Sequence, residues 1–186
     1  STGTYTYSLV NVRDASSTSC LQTQAGSASV TVNPLPTATI AGTASVCRNG
    51  ISPDVTFTGS SGTEPYTFTY KINGGINQTV TTTTGNSVTV PAPTGIAGTF
   101  TYSLVSVQDA SSTACVQSQS GSAVVTVNPL PTTSVITGSP TPACGAIGVT
   151  YSVTLTSGSS YAWTVPTGSV ITSGATGPNN NSIIVT

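Results

Sequence analysis

The sequence contains almost no charge. Its 186 residues include three Lys or Arg, four Asp or Glu and no His, so that 4% are charged, against about 25% in an average soluble domain. The three basic residues are scattered, and no basic patch is present that could bind nucleic acid or an anionic membrane surface. Nucleic-acid binding and membrane-surface binding are therefore excluded as functions of this sequence.

Catalytic and metal-binding patterns are also missing. Without histidine the sequence cannot supply a Cys/His zinc site, or a Ser/His/Asp or Cys/His relay. The four acids do not form a pair with the spacing that a glycosidase needs, and we expect Asp109, which lies near a turn, to accept hydrogen bonds from backbone amides. The sequence predicts no enzyme activity and no cofactor.

Long hydrophobic runs are absent as well. No stretch approaches the roughly 18 apolar residues of a membrane span, so we expect no membrane insertion. The sequence also lacks Met and opens in the middle of a strand pattern, which favours an internal section of a longer protein.

A long internal repeat organises the sequence. Residues 3–36 (GTYTYSLVNVRDASSTSCLQTQAGSASVTVNPLP) and residues 98–131 (GTFTYSLVSVQDASSTACVQSQSGSAVVTVNPLP) align without a gap. The offset is 95 residues (98 − 3), and 26 of the 34 paired residues are identical. A period near 100 residues is that of a whole β-sandwich domain rather than of a solenoid turn.

The period predicts three domain regions. Residues 1–36 are interpreted as the last two strands of a truncated domain, residues 37–131 as a complete domain, and residues 132–186 as the first part of a divergent one. Each junction carries Pro-Leu-Pro, which removes backbone donors and favours a stiff, extended link. The two predicted linkers are Pro34, Leu35 and Pro36, and Pro129, Leu130 and Pro131.

Alternating apolar and polar residues predict an all-β fold of immunoglobulin-like antiparallel sandwiches. Seven strands separated by turns are expected in residues 37–131, the first of them over residues 39–46. The clearest strand alternates Tyr66, Phe68 and Tyr70 with Thr, and we expect it to be central. The aromatic residues predicted to lie in the cores are Phe57, Tyr66, Phe68, Tyr70, Phe100, Tyr102 and Trp163.

The four cysteines predict disulfides and hence an oxidising, extracytoplasmic location. Within the complete domain the available pair is Cys47 and Cys115, whereas Cys20 and Cys144 would pair outside this sequence. The alternatives are Cys20–Cys47 and Cys115–Cys144, which would join neighbouring domains. In a standard sandwich the positions of Cys47 and Cys115 lie at opposite ends, so that the favoured pair requires a rearranged first strand.

The phrases VTVNPLPTATIAGTASVC, PYTFTYKINGG, GTFTYSLVSVQDASSTAC and SSYAWTVPTGSVITSG resemble the tandem immunoglobulin-like and PKD-like repeats of giant Bacteroidota surface proteins. These proteins include gliding-motility adhesins exported by type IX secretion. The resemblance implies an extracellular, cell-attached protein in which the repeats form a stalk or filament, and the family's two cysteines match Cys47 and Cys115. The WxFGDG-like segment of the PKD pattern is absent, because TVPTG follows Trp163.

We therefore expect a structural repeat of a bacterial cell-surface adhesin or filament. Its expected partners are neighbouring repeats of the same chain, other copies in a filament, and a surface glycan. The alternative is a carbohydrate-binding or accessory module of a secreted polysaccharide-active enzyme, in which Tyr66, Phe68 and Tyr70 would be an exposed stacking platform.

Overall fold

The computed structural model of the chain describes residues 1–132, 134–174 and 176–186. These residues form strands, turns and loops and contain no helix, so the predicted all-β class is confirmed. The strands are β1 (Gly3–Arg13), β2 (Leu21–Val32), β3 (Thr37–Ala41), β4 (Ala44–Cys47), β5 (Asp54–Ser60), β6 (Thr67–Ile72), β7 (Gln78–Thr81), β8 (Ser87–Pro91), β9 (Gly98–Gln108), β10 (Val116–Ser118), β11 (Ser122–Asn128), β12 (Val149–Ser152), β13 (Ser160–Tyr161), β14 (Ile171–Ser173), β15 (Gly177–Pro178) and β16 (Ser182–Val185).

The chain divides into two compact units, Ser1–Pro129 and Leu130–Thr186. The first unit contains both the β1–β2 hairpin and a complete sandwich, which begins at β3 and ends at β11. The three-domain division made from the sequence remains a prediction.

The sandwich consists of two sheets with one shared core. One sheet has the order β3–β5–β8, and the other has the order β4–β11–β9–β6–β7, with β10 added beside β9. All pairs are antiparallel except β4 with β11. Inward-facing side chains of both sheets form the core: Ala38, Val55, Phe57, Tyr66, Phe68, Tyr70, Ala92, Tyr102, Leu104, Val107, Ala123, Val125 and Val127.

The first strand differs from the single strand predicted over residues 39–46. It is divided into β3, which pairs with β5, and β4, which crosses to the other sheet and pairs with β11. The crossing lies at Gly42, which has a φ of +115° and whose position would force a β-carbon into the carbonyl oxygen of Asp54. Only glycine fits such a backbone, so this residue moves the chain from one sheet to the other.

The strand predicted to be central is also placed differently. Strand β6 lies between β9 and the edge strand β7, and β9 occupies the middle of the larger sheet. The reason is the length of β9, whose eleven residues pair with β11 at one end and with β6 and β10 along the rest.

The β1–β2 hairpin repeats β9 and β11 in sequence but has no second sheet over it. Strand β1 pairs with β2 from Gly3↔Val32 to Arg13↔Leu21. Apolar side chains that correspond to core residues of the sandwich are exposed here: Tyr5, Tyr7, Leu9, Val12, Val30 and Val32. This hairpin thus has the sequence of the closing strands of a sandwich without the burial that such strands have.

The described residues of the second unit form two small sheets, β12–β16–β14 and β13–β15. Among its described residues, Ile183 and Val185 are buried. Trp163, predicted to lie in the core, is half-buried, and its indole Nε1 donates a hydrogen bond of 3.0 Å to the carbonyl oxygen of Asn180. Trp163 is thus less buried than the core aromatic residues Phe57, Phe68 and Tyr102 of the first unit.

Candidate functional site: the proximal loop cluster

The sandwich has two distinct ends, which we name from the direction of the chain. The proximal end is where β3 begins and where β9 leads into the loop 109–115. The distal end is where β4 and β11 finish side by side, since Cys47 is the register partner of Asn128. Loops of the proximal end form a cluster around one buried carboxylate, and this proximal loop cluster is the candidate site.

Asp109 is the centre of the cluster. Its side chain is 4% exposed. Oδ1 accepts hydrogen bonds from the Ser111 hydroxyl (2.8 Å) and amide (3.4 Å) and from the Cys115 amide (2.9 Å). Oδ2 accepts from the Thr63 amide at 3.1 Å, so the carboxylate joins the loop after β9 to the loop after β5. Asp109 therefore has the amide-capping role expected for it from the sequence.

The electrostatics of Asp109 follow from these bonds. Burial acts to raise its pKa, but the hydrogen bonds from the Ser111 side chain and from the amides of Thr63, Ser111 and Cys115 outweigh burial. The pKa of Asp109 consequently lies below its ordinary value of 3.8. Since hydrogen bonding to the charged form favours that form, the cluster holds an ionised carboxylate at neutral pH.

Pro36 enters the same cluster from the linker. Its ring is buried against Gly62, where an added β-carbon would lie 2.7 Å from Asp109 Oδ2 and 3.1 Å from the β-carbon of Pro36. The Tyr66 hydroxyl fixes this loop, because it donates to the Gly62 carbonyl oxygen (2.9 Å) and accepts from the Gly62 amide (3.1 Å). The last linker residue is thus packed into the sandwich rather than free to rotate.

The base of the β1–β2 hairpin contacts the tip of the β9–β10 loop. The Asn33 side-chain amide Nδ2 donates to Thr113 Oγ1 at 3.1 Å and to Ser112 Oγ at 3.5 Å. Together with the buried Pro36, these bonds attach the hairpin to the proximal loop cluster at two points.

The tip loop has the same geometry in both copies of the repeat. In the hairpin, Asp14 Oδ1 accepts from the Ser16 hydroxyl (2.7 Å) and the Cys20 amide (2.9 Å). The Asp14 amide also donates to the Cys20 carbonyl oxygen, as the Asp109 amide does to that of Cys115. The hydrogen bonds from Ser16 and Cys20 lower the pKa of Asp14, although burial opposes them. The DASST segment is therefore a turn that the carboxylate closes.

The structure does not form the predicted Cys47–Cys115 disulfide. All four cysteines have free thiols. Cys47 lies at the distal end beside Asn128, whereas Cys115 lies at the proximal end, and the eleven-residue strand β9 runs between these ends. At about 3.3 Å per residue the two differ by roughly 30 Å, whereas a disulfide needs Cα atoms within about 7 Å. The crossing of the first strand at Gly42 does not bring Cys47 to the other end, so Cys47 and Cys115 are too far apart to pair within the domain.

The other cysteines do not supply a nearby partner within the first unit. Cys20 lies at the tip of the hairpin, at the end opposite to Asn33, and is exposed. Hydrogen bonds from the hydroxyls of Thr18 and Ser16 lower the pKa of the Cys20 thiol, although burial opposes them. Cys144, in the second unit, is also exposed, and the predicted pairing of Cys20 and Cys144 outside this sequence remains a prediction.

The stacking platform that the alternative interpretation requires is not available, because the three aromatic residues lie in the core, as predicted. Tyr66, Phe68 and Tyr70 are buried, and the ring of Phe57 packs against Phe68 and Tyr70 at centroid distances of 5.7 and 4.9 Å. Of the other predicted core aromatics, Tyr102 is buried and Phe100 is partly buried against the core. Three aromatics on one strand face are here a sandwich core, so they cannot stack on a sugar.

The linker prolines differ in their surroundings. Pro36 is buried, whereas Pro34, Leu35, Pro129, Leu130 and Pro131 are exposed. Only the proline that directly precedes β3 packs into a loop cluster of the first unit.

Chemical groups for catalysis or metal binding do not converge in the parts of the chain that the structure describes. No three His, Cys, Asp or Glu residues among them lie close enough to hold a metal ion. An opening of about 510 Å³ beside Tyr161 has no charged residue in its lining. No described helix is long and apolar enough to cross a membrane.

The residues through which the proximal loop cluster connects the hairpin to the sandwich were not predicted from the sequence. Gly62, Thr63 and Asn33 were not singled out, because their role depends on loops that are distant in the sequence. One signal was available in the sequence: an asparagine directly precedes Pro-Leu-Pro in both copies of the repeat, Asn33 in the first and Asn128 in the second.

Comparison with known proteins gives one family match. Residues 129–186 match a PKD-like domain, which is consistent with an immunoglobulin-like repeat. No match is found among curated proteins. The matched segment fits an extracellular structural or adhesion-type module, a class that is typically without catalytic activity.

Proposed function

We propose that this chain is a section of the shaft of an extracellular, cell-surface adhesin or filament, and that its role is mechanical. In this proposal the sandwich transmits tension along its length and projects a binding region away from the cell, without catalysis. The resemblance described above extends the proposal to Bacteroidota surface proteins exported by type IX secretion, with roles in adhesion or gliding motility.

The observation that carries this proposal is the parallel pairing of β4 with β11. The register runs from Val125↔Ala44 to Asn128↔Cys47, and the chain enters the sandwich at the opposite end from its exit. Tension applied through Pro36 and Pro129 pulls the two strands past each other along their axes. The ladder bonds are then loaded together rather than one after another, which is the arrangement that resists separation best.

The proximal loop cluster supports the same role. A buried Pro36, the Asp109 carboxylate and the Asn33 amide together restrict the angle between the hairpin and the sandwich. A stiff joint keeps a shaft extended, whereas a Gly/Ser linker would allow it to collapse.

The nearly uncharged surface suits association of the shaft with itself. Charge is one of the usual protections of sheet edges, and the edge strands β7 and β8 carry no charged residue. We propose neighbouring repeats and other copies of the chain as partners. A surface glycan is a further proposed partner, but not through Tyr66, Phe68 and Tyr70, which are buried.

Immunogold labelling of intact cells of the source organism with antibodies to the sandwich tests this proposal. We expect gold particles at the cell surface and at variable distances beyond the outer membrane. Release of the whole protein into the medium in one chain with a polysaccharide-degrading domain would contradict the proposal and favour the accessory-module alternative.

A further inference from the structure

We propose that Cys115 forms a disulfide with a cysteine of the preceding repeat, namely the one that occupies the position of Cys47 there. This inference deepens the proposed function and rests on its tandem arrangement. The bond would lock each joint of the shaft covalently at the proximal loop cluster.

Cys115 lies beside the contact between the β1–β2 hairpin and the β9–β10 loop. Its Sγ lies 3.1 Å from Thr113 Oγ1, and that hydroxyl accepts the Asn33 amide hydrogen bond, also 3.1 Å long. Cys115 is half-buried in its loop. The Thr113 hydroxyl thus lies between the sulfur of Cys115 and Asn33 at the base of the β1–β2 hairpin.

The complete sandwich shows which residues lie beside the equivalent of Asn33. In the complete sandwich the equivalent residue, Asn128 (33 + 95), is the register partner of Cys47 in the parallel β4–β11 ladder. Its carbonyl oxygen accepts from the Arg48 amide, and its side-chain amide donates to Ser45 Oγ at 2.9 Å. Strand β2 repeats β11, so a β4-like strand along it would bring its own cysteine next to Asn33. The amide carries two N–H groups and can bond both Thr113 and a serine on that strand.

The exposed apolar face of the hairpin also favours a preceding repeat that supplies such a strand. The side chains of β1 and β2 that correspond to core residues of β9 and β11 are exposed in the hairpin. Apolar faces of this kind are covered in the sandwich by β3, β5 and β8, with β4 closing the edge of β11. A preceding repeat of the same kind would cover the hairpin and supply the cysteine in one piece.

The chemistry balances with a thiol–disulfide partner. Two thiols lose two protons and two electrons to form one S–S bond, and the disulfide of an oxidoreductase, or oxidised glutathione in vitro, is reduced to two thiols. The new arrangement differs from the intradomain Cys47–Cys115 bond, which would have to span the length of the sandwich.

An extended chain tests this inference. A second copy of residues 37–97 is placed directly before Gly3, which completes the preceding repeat because Gly3 corresponds to Gly98. Cys47→Ser and Cys144→Ser at the native positions leave three cysteines in the extended chain, namely the added copy of Cys47, Cys20 and Cys115. After refolding with oxidised glutathione, thiols are alkylated, and peptides are mapped by mass spectrometry without reduction.

We expect a peptide pair that links the added cysteine to Cys115, and Cys115 should escape alkylation. Cys115→Ser should leave the added cysteine free, whereas the control Cys20→Ser, at the far tip of the hairpin, should leave the linked pair unchanged. Cys115 recovered as a free thiol, or linked to another cysteine, would overturn the inference. Hydrogen exchange of the hairpin amides distinguishes a failure of the proposed disulfide from a failure of the proposed tandem arrangement. If its amides are protected while Cys115 is free, only the disulfide is wrong. If they are unprotected, the tandem completion fails as well.

Discussion

Tyr7 and Tyr102 occupy the same position of the two repeat copies, yet Tyr7 is 66% exposed and Tyr102 is fully buried. Both lie on long strands with the same antiparallel partner segment, Tyr7 opposite Ala28 and Tyr102 opposite Ala123. The difference comes from the second sheet, which covers β9 and leaves β1 uncovered. One chain thus contains the same hairpin in a packed and an unpacked state.

This difference predicts unequal protection of two nearly identical hairpins. A two-stranded hairpin without a packed face is marginal in water, so amides of β1 and β2 should exchange with solvent far faster than those of β9 and β11. Hydrogen–deuterium exchange with mass spectrometry measures both in one sample, and the sandwich hairpin is its own matched control. Equal protection of the two hairpins would contradict the account.

The buried carboxylate predicts a dependence of stability on pH. The pKa of Asp109 is lowered in the folded state, so its contribution is complete above the ordinary value of 3.8 and is lost as pH falls through the folded-state pKa. We expect Asp109→Asn to cost about 1.5–3 kcal/mol at pH 7. The cost should shrink as pH is lowered below about 4.

Denaturant titrations from pH 7 to pH 2.5 measure this effect. Asp14→Asn is the matched control, because Asp14 makes the same turn on the exposed hairpin, and its substitution should change the unfolding of the sandwich little. A pH-independent difference between Asp109→Asn and the native chain would refute the role given to the carboxylate.

The joint predicts that Gly62 does not tolerate a side chain. An added β-carbon would lie within 3.1 Å of both Pro36 and Asp109, so Gly62→Ala should destabilise the sandwich by about 1–3 kcal/mol through overpacking. Gly95→Ala is the control, since nothing lies within 4 Å of a β-carbon there. Thermal unfolding monitored by circular dichroism compares the two. Similar melting temperatures for both variants would show that the cluster is loosely packed.

The core predicts opposite results for two tyrosines. Tyr102 Oη is buried without a hydrogen-bond partner among the described residues, and burial, with the nearby Tyr70, raises its pKa. Tyr102→Phe should therefore be neutral or stabilising, by up to about 1–2 kcal/mol. Tyr66→Phe removes the two bonds to Gly62 and should destabilise by about 1 kcal/mol. Urea titrations of both variants decide, and a clear loss of stability in Tyr102→Phe would show that its hydroxyl is satisfied.

The sequence was sufficient to predict the all-β fold class because the signals for that class were local. Alternation of Tyr66, Phe68 and Tyr70 with threonine defines a strand face, and a gapless repeat defines the period of the domain. The aromatic faces therefore lie in the sandwich core as expected, while Trp163, in a segment of short strands, is only half-buried.

The site depended on contacts that no local pattern encodes. The division of the first strand at Gly42 depends on the approach of the Asp54 carbonyl oxygen, and the joint depends on Asn33 reaching Thr113, which is 80 residues away. The end of the sandwich at which each cysteine lies follows from strand direction and register. Cys47 and Cys115 were paired because both lie in the complete domain, and the pairing required a rearranged first strand; the first strand is divided at Gly42, but the two cysteines still lie at opposite ends, as in a standard sandwich.

The central claim is that the sandwich bears tension through the β4–β11 ladder, and single-molecule force spectroscopy of the chain held at its two ends tests it most directly. Unfolding of the sandwich should release roughly 90 residues, about 300 Å of extended chain, in one step. Val46→Pro, which removes a backbone donor from β4, should lower the force of that step markedly, whereas Val46→Ala, which keeps the donor, should lower it much less. The same unfolding force for Val46→Pro and the native chain would contradict the account.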